Sequence, residues 1–165
     1  MGFNTGGLIT KGQFNNLETL EACLETRLER TELQTNFNTA SKNHKEGNCI
    51  DILTTDKGTL IFPNFGTLYN LKNFLQQEFV VQFLISDVSN TYYFEAYSKG
   101  KLLQKWIIAD EEIAEDVGES LIDKKAYLLD EIWRLAEAFT GLNSEEIFEA
   151  SFEQYKILDG SLTTN

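Results

Sequence analysis

Phe79-Val80-Val81-Gln82-Phe83-Leu84-Ile85-Ser86, Thr91-Tyr92-Tyr93-Phe94-Glu95-Ala96-Tyr97-Ser98 and Lys101-Leu102-Leu103-Gln104-Lys105-Trp106-Ile107-Ile108-Ala109 are three runs rich in aromatic and β-branched residues, separated by Asp87-Val88-Ser89-Asn90 and Lys99-Gly100. Such side chains suit a pleated, half-buried surface, and both separators carry residue types that accept tight turns. The segment predicts a three-stranded antiparallel meander. A two-residue loop at Lys99-Gly100 sets Ser98 opposite Lys101, and then Tyr97 opposite Leu102, Glu95 opposite Gln104 and Tyr93 opposite Trp106. The longer loop sets Ile85 opposite Tyr92, Phe83 opposite Phe94 and Val81 opposite Ala96. One face thus collects Val81, Phe83, Ile85, Tyr92, Phe94, Ala96, Leu103 and Ile107, with Lys105 out of place; this is the expected core face. The other collects Val80, Leu84, Tyr93, Tyr97, Leu102 and Trp106 around Gln82, Glu95 and Gln104, a mixture suited to partial solvent contact.

Working outward, Cys49 to Leu53 and Thr59 to Phe62 read as a hairpin around Asp56-Lys57-Gly58. Leu17, Leu20, Leu24 and Leu28 recur at helical spacing behind Asn15 and Asn16, which are good N-caps. Leu68, Leu71, Phe74 and Leu75 suggest a short second helix to about Gln77. Leu128, Ile132, Leu135 and Phe139 mark a long third helix that Gly141 terminates. Asn143 with Glu146 has capping-box spacing for a short last one. Residues 1–12 read as a flexible lead-in, 35–48 as a polar loop and 160–165 as a frayed tail. The expectation is one α+β domain over residues 1–165, with an antiparallel sheet of about five strands (a hairpin plus the meander) and helices packed mainly on one face.

The 165 residues include 14 Lys and Arg against 26 Asp and Glu, a formal charge of −12. A field of that sign repels phosphate backbones and anionic lipid, so neither nucleic acid nor membrane is an expected partner, whereas a basic protein is. Cys23 and Cys49 lack zinc or redox spacing and read as reduced, buried thiols. Met1 to Gly7 carries no basic segment ahead of an apolar run, and no stretch approaches the roughly 20 apolar residues of a membrane span, so a cytoplasmic location is expected.

Chemistry-bearing motifs are sparse. His44 is the only histidine and stands in the polar loop beside Lys42, Lys45 and Glu46. Cys49 lies five positions on, but strand burial favours an inert thiol. Gly2 and Gly7 have the outer spacing of a phosphate-binding loop, yet Leu8-Ile9 stands where Lys and Ser or Thr are required. The acidic run from Asp110 to Glu119 lacks the alternating ligands and central glycine of a calcium loop. No catalytic residue, metal or cofactor is therefore expected, and none of these features specifies an oligomeric state.

What remains is a surface. Tyr93, Tyr97 and Trp106, bordered by Asp110, Glu111, Glu112, Glu115 and Asp116, combine the amphipathic rings that protein interfaces enrich with an acidic rim. The run from Phe83 to Leu102, followed by Glu115-Asp116-Val117-Gly118-Glu119, resembles the immunity proteins that neutralise polymorphic or contact-delivered bacterial toxins. That resemblance implies a binding protein, not an enzyme, whose partner is a cognate toxin, basic in charge. Two other readings are open at this level: a small-molecule module or enzyme with a pocket between the sheet and the 35–48 loop, and an acidic mimic of nucleic acid.

Overall fold

The computed structural model describes residues 4–14, 16–42, 47–63 and 72–158. Along the chain these form β1 (Asn4–Thr10), α1 (Leu17–Leu24), β2 (Leu28–Thr35), α2 (Phe37–Ala40), β3 (Cys49–Thr54), β4 (Thr59–Pro63), a 3-10 turn (Phe74–Gln76), β5 (Val80–Ser86), β6 (Thr91–Ser98), β7 (Lys101–Ala109), β8 (Glu112–Gly118), α3 (Leu128–Thr140), α4 (Ser144–Glu149) and β9 (Phe152–Ile157). The strands make one sheet of nine, ordered β2-β9-β3-β4-β1-β5-β6-β7-β8, with every neighbouring pair antiparallel.

The meander is present and larger than expected. Lys99 and Gly100 have φ of 51° and 84°, the paired left-handed conformations that a two-residue hairpin requires. The β5–β6 register is the expected one, with Ile85 opposite Tyr92, Phe83 opposite Phe94 and Val81 opposite Ala96. Across β6–β7 the pairing of Tyr97 with Leu102 also holds, and then it shifts: Ala96 faces Gln104, Glu95 faces Lys105, Phe94 faces Trp106 and Tyr93 faces Ile107. Leu103 is the extra residue of a β-bulge, which turns every later β7 side chain to the face opposite that expected. The misplaced Lys105 of the simple register was the trace of this bulge.

The sheet has four strands that the sequence reading lacks. β1, expected as part of a flexible lead-in, sits fifth in the sheet order, between β4 and β5. Gly7 allows this close packing, since a Cβ there would stand 2.8 Å from the Ile61 carbonyl oxygen and 3.0 Å from the Phe83 ring. β2 begins at Leu28, because Glu25 ends α1 in the left-handed region at φ 54°. β8 arises from the acidic run through a hairpin turn at Asp110 and Glu111, both at positive φ. β9 inserts between β2 and β3 after α4.

Helices lie on both faces, so the expected packing mainly on one face is a partial description. On the first face α2, α3 and α4 cover Ile9, Leu60, Phe62, Val81, Phe94 and Phe152, with Phe37 packed edge-on to Phe62 at 5.9 Å. α3 buries Leu128, Leu129, Ile132, Leu135, Ala136 and Phe139 there. Each large apolar side chain so buried contributes roughly 1.5–3 kcal/mol. Gly141, at φ 81°, ends α3, and the Asn143–Glu146 capping box opens α4, both as expected. On the second face α1, capped by Asn16, presses Leu20, Cys23 and Leu24 onto Leu8, Ile50, Ile52 and Ile61. The expected second helix falls mostly on residues outside the described set; its described end is the 3-10 turn, whose Phe74 is buried against Val80. The 35–48 segment includes α2, while His44 and the 160–165 tail lie outside the described residues. Among the described residues no helix is long and apolar enough to cross a membrane.

Candidate functional site

Among the described residues α1 and the 3-10 turn cover β9, β3, β4 and β1 on the second face and reach Val80 at the start of β5, and beyond Val80 the β5–β8 half carries a different set of side chains. Leu84 with Tyr93, Gln82 with Glu95, Glu95 with Lys105, and Ile107 with Glu115 are cross-strand partners there. At the centre stands Glu95, only 5% exposed. Tyr93 donates its hydroxyl to Oε1 of Glu95, and Tyr97 donates to Oε2 at 2.6 Å. Lys105 Nζ lies 3.4 Å from Glu95 Oε1 and 3.4 Å from Glu115 Oε2. The buried carboxylate is therefore satisfied on both oxygens, which makes its burial tolerable and holds both phenol rings in place.

The electrostatics follow from that geometry. Burial first, then the bond to Glu95, pushes the Tyr97 hydroxyl up to about 12. The same causes in the same order push Tyr93 higher. The Glu95 carboxylate, ahead of Glu115, raises Lys105 and keeps it cationic. A related cluster lies at the meander's far end, where Tyr92 and Tyr127 donate to the two oxygens of Asp87 at 2.6 and 2.7 Å.

Of the residues singled out from the sequence, the structure places Tyr93, Tyr97, Glu112 and Glu115 on this face. Trp106 is a correction: the bulge sends it to the helix-covered face, where it is 5% exposed beside Phe94. Asp116 also points that way and pairs with Lys124. Asp110 and Glu111 form the β7–β8 turn. Gln104, expected in the polar row, is fully buried on the helix side and accepts from the Leu121 amide at 2.8 Å. Sequence reasoning left Lys105 and Ile107 off this face; the unexplained lysine was the available signal.

A concavity of about 320 Å³ lies beneath α1, lined by Phe14, Leu17, Leu20, Ile52 and Tyr155 with the Arg30–Glu153 ion pair at 3.0 Å. It is on the sheet face opposite α2, not between the sheet and the 35–48 segment. Cys23, on the buried side of α1, is a free thiol pushed up to about 11 by desolvation. Among the described residues no group of three or more His, Cys, Asp or Glu is placed to hold a metal ion. No protein-family model, no curated protein and no solved structure matches the chain.

Proposed function

We propose that this chain is a binding protein that takes a basic protein partner on the β5–β8 half of its second sheet face, the partner being, as the immunity-protein resemblance implies, a cognate toxin. One observation carries the reading: a buried carboxylate locks the half-buried Tyr93 and Tyr97 on a part of the sheet that no described α-helix covers, beside a strand whose every residue is exposed and whose charges are all negative. Rings held in place before contact lose little freedom on binding, and an acidic border steers and selects a basic partner. Glu95 gives both oxygens to donors, an arrangement suited to a rigid contact surface more than to proton transfer. Co-expression with the product of the neighbouring gene tests the reading: a stable complex or protection from toxicity is expected. Tyr93→Ala with Tyr97→Ala and Glu95→Ala, which removes the buried carboxylate together with its two donors, should abolish it while the chain stays folded by circular dichroism; a complex that survives this triple change would place the contact elsewhere.

The cleft beneath α1 favours a second reading, because its volume falls at the lower end of small-ligand pockets and it combines an apolar floor with an ion pair at its mouth. Thermal-shift screening against small metabolites tests it, with stabilisation lost in Leu17→Trp as the expected outcome.

A further inference from the structure

β8 ends the sheet and every one of its seven residues is exposed, so one side of its backbone has no strand beside it among the described residues. A row of unpaired N–H and C=O groups is a template for another strand, and proteins ordinarily blunt it with lysine, proline or a bulge. The opposite edge shows that blunting: β2 carries Arg30, and its pairing breaks between Arg30 and Gln34 with Glu32 in the left-handed region at φ 65°. β8 has neither lysine nor proline, and although it carries one bulge, at Ala114, its pairing with β7 runs unbroken from Glu115 to Gly118. It also shows water two β-branched apolar side chains, Ile113 at 64% and Val117 at 51% exposure.

The charges select the occupant. On the tyrosine side Glu112 has no ion partner among the described residues, and Glu115 shares Lys105 with Glu95. On the helix side Asp116 is already paired with Lys124, leaving Ile113 as the free contact. A second copy of β8 laid antiparallel in full overlap would set Glu115 directly against itself and bring two all-acidic strands together, and like charges directly opposite destabilise a strand pair. We propose that β8 is a strand-addition site for an extended basic segment of the partner protein, its Lys or Arg side chains on the tyrosine side and its apolar side chains over Ile113. This rests on the binding reading above and specifies its mode; main-chain bonds supply affinity and the alternating side chains supply selection.

The test uses the whole chain and two ten-residue probes: a peptide of alternating lysine and valine, and the same peptide with its backbone amides N-methylated. Calorimetry at low salt measures affinity, while amide NMR locates the contact. The expected result is binding of the unmethylated peptide with shifts centred on β8, weakened about tenfold by Glu112→Lys and weakened strongly by methylation. Equal affinity for both peptides overturns strand addition and leaves the basic-partner reading standing. Binding of neither overturns the β8 site, and co-expression then decides the broader reading by itself. Self-association through β8 without peptide assigns the edge to a second copy and also overturns the proposal.

Discussion

The two halves of the second sheet face are continuous in backbone and opposite in chemistry. Under α1 the strands present Leu8, Ile50, Ile52 and Ile61, all buried, whereas β5 to β7 present Gln82, Leu84, Tyr93, Glu95, Tyr97 and Lys105. The first half is made to be covered by its own chain. In the second, a satisfied polar cluster around Glu95 orders the side chains, and no described α-helix lies over them. With no described α-helix over it, this half leaves its two tyrosine rings half-exposed to another molecule, which is why the binding proposals fall there and not on the covered half.

The contrast predicts a graded set of outcomes. The largest belongs to Trp106→Ala, because the bulge puts this ring in the helix-side core; urea denaturation should show a loss of about 4 kcal/mol. A loss below about 1 kcal/mol would return Trp106 to the surface and undo the assignment of faces. On the covered half, Ile61→Ala should cost about 3 kcal/mol by the same measurement, and Leu84→Ala on the bare half about 1 kcal/mol; equal values would erase the distinction.

Glu95→Gln removes the charged acceptor of two phenols and should cost roughly 1.5 kcal/mol, with Lys105 losing one of its two carboxylates. Alkaline titration sharpens the same point. The Tyr97 hydroxyl lies at about 12 in the folded chain against an ordinary 10.0, so its raised value favours the protonated, folded form. That stabilisation is complete below pH 10 and is lost as pH rises from 10 towards 12. Phenolate absorbance in Glu95→Gln should show an earlier ionisation than in the parent chain, and Tyr97→Phe should remove this component of the alkaline stability loss. The smallest effect belongs to Val117→Lys, a change of at most about 0.5 kcal/mol in stability, since the residue is half exposed on an edge.

Legibility in the sequence followed the range of the forces involved. α3 was readable because its apolar spacing, the αL glycine at 141 and the capping box after it are all local signals. β1 was not, because Gly6-Gly7 carries no strand propensity of its own; that strand exists through close packing between β4 and β5. The β7–β8 hairpin was hidden by an Asp-Glu turn with no glycine. β2 opens at Leu28, which continues the leucine spacing of the first helix, and β9 carries no local signal of its own; each pairs with the other across more than a hundred residues.

The candidate site divides in the same way. Alternation along β5 and β6 by itself determined their register, which residues face the core, and that Tyr93 and Tyr97 share the other face with Glu95. Acidic charge was likewise plain from composition. Only the tertiary structure decided that Trp106 leaves that face, that Lys105 joins it, and that the acidic run is an edge strand. The physical reason is the period of two in a strand: one inserted residue at Leu103 reverses every side chain beyond it, and the insertion answers to packing against neighbouring strands and helices, which no local pattern encodes.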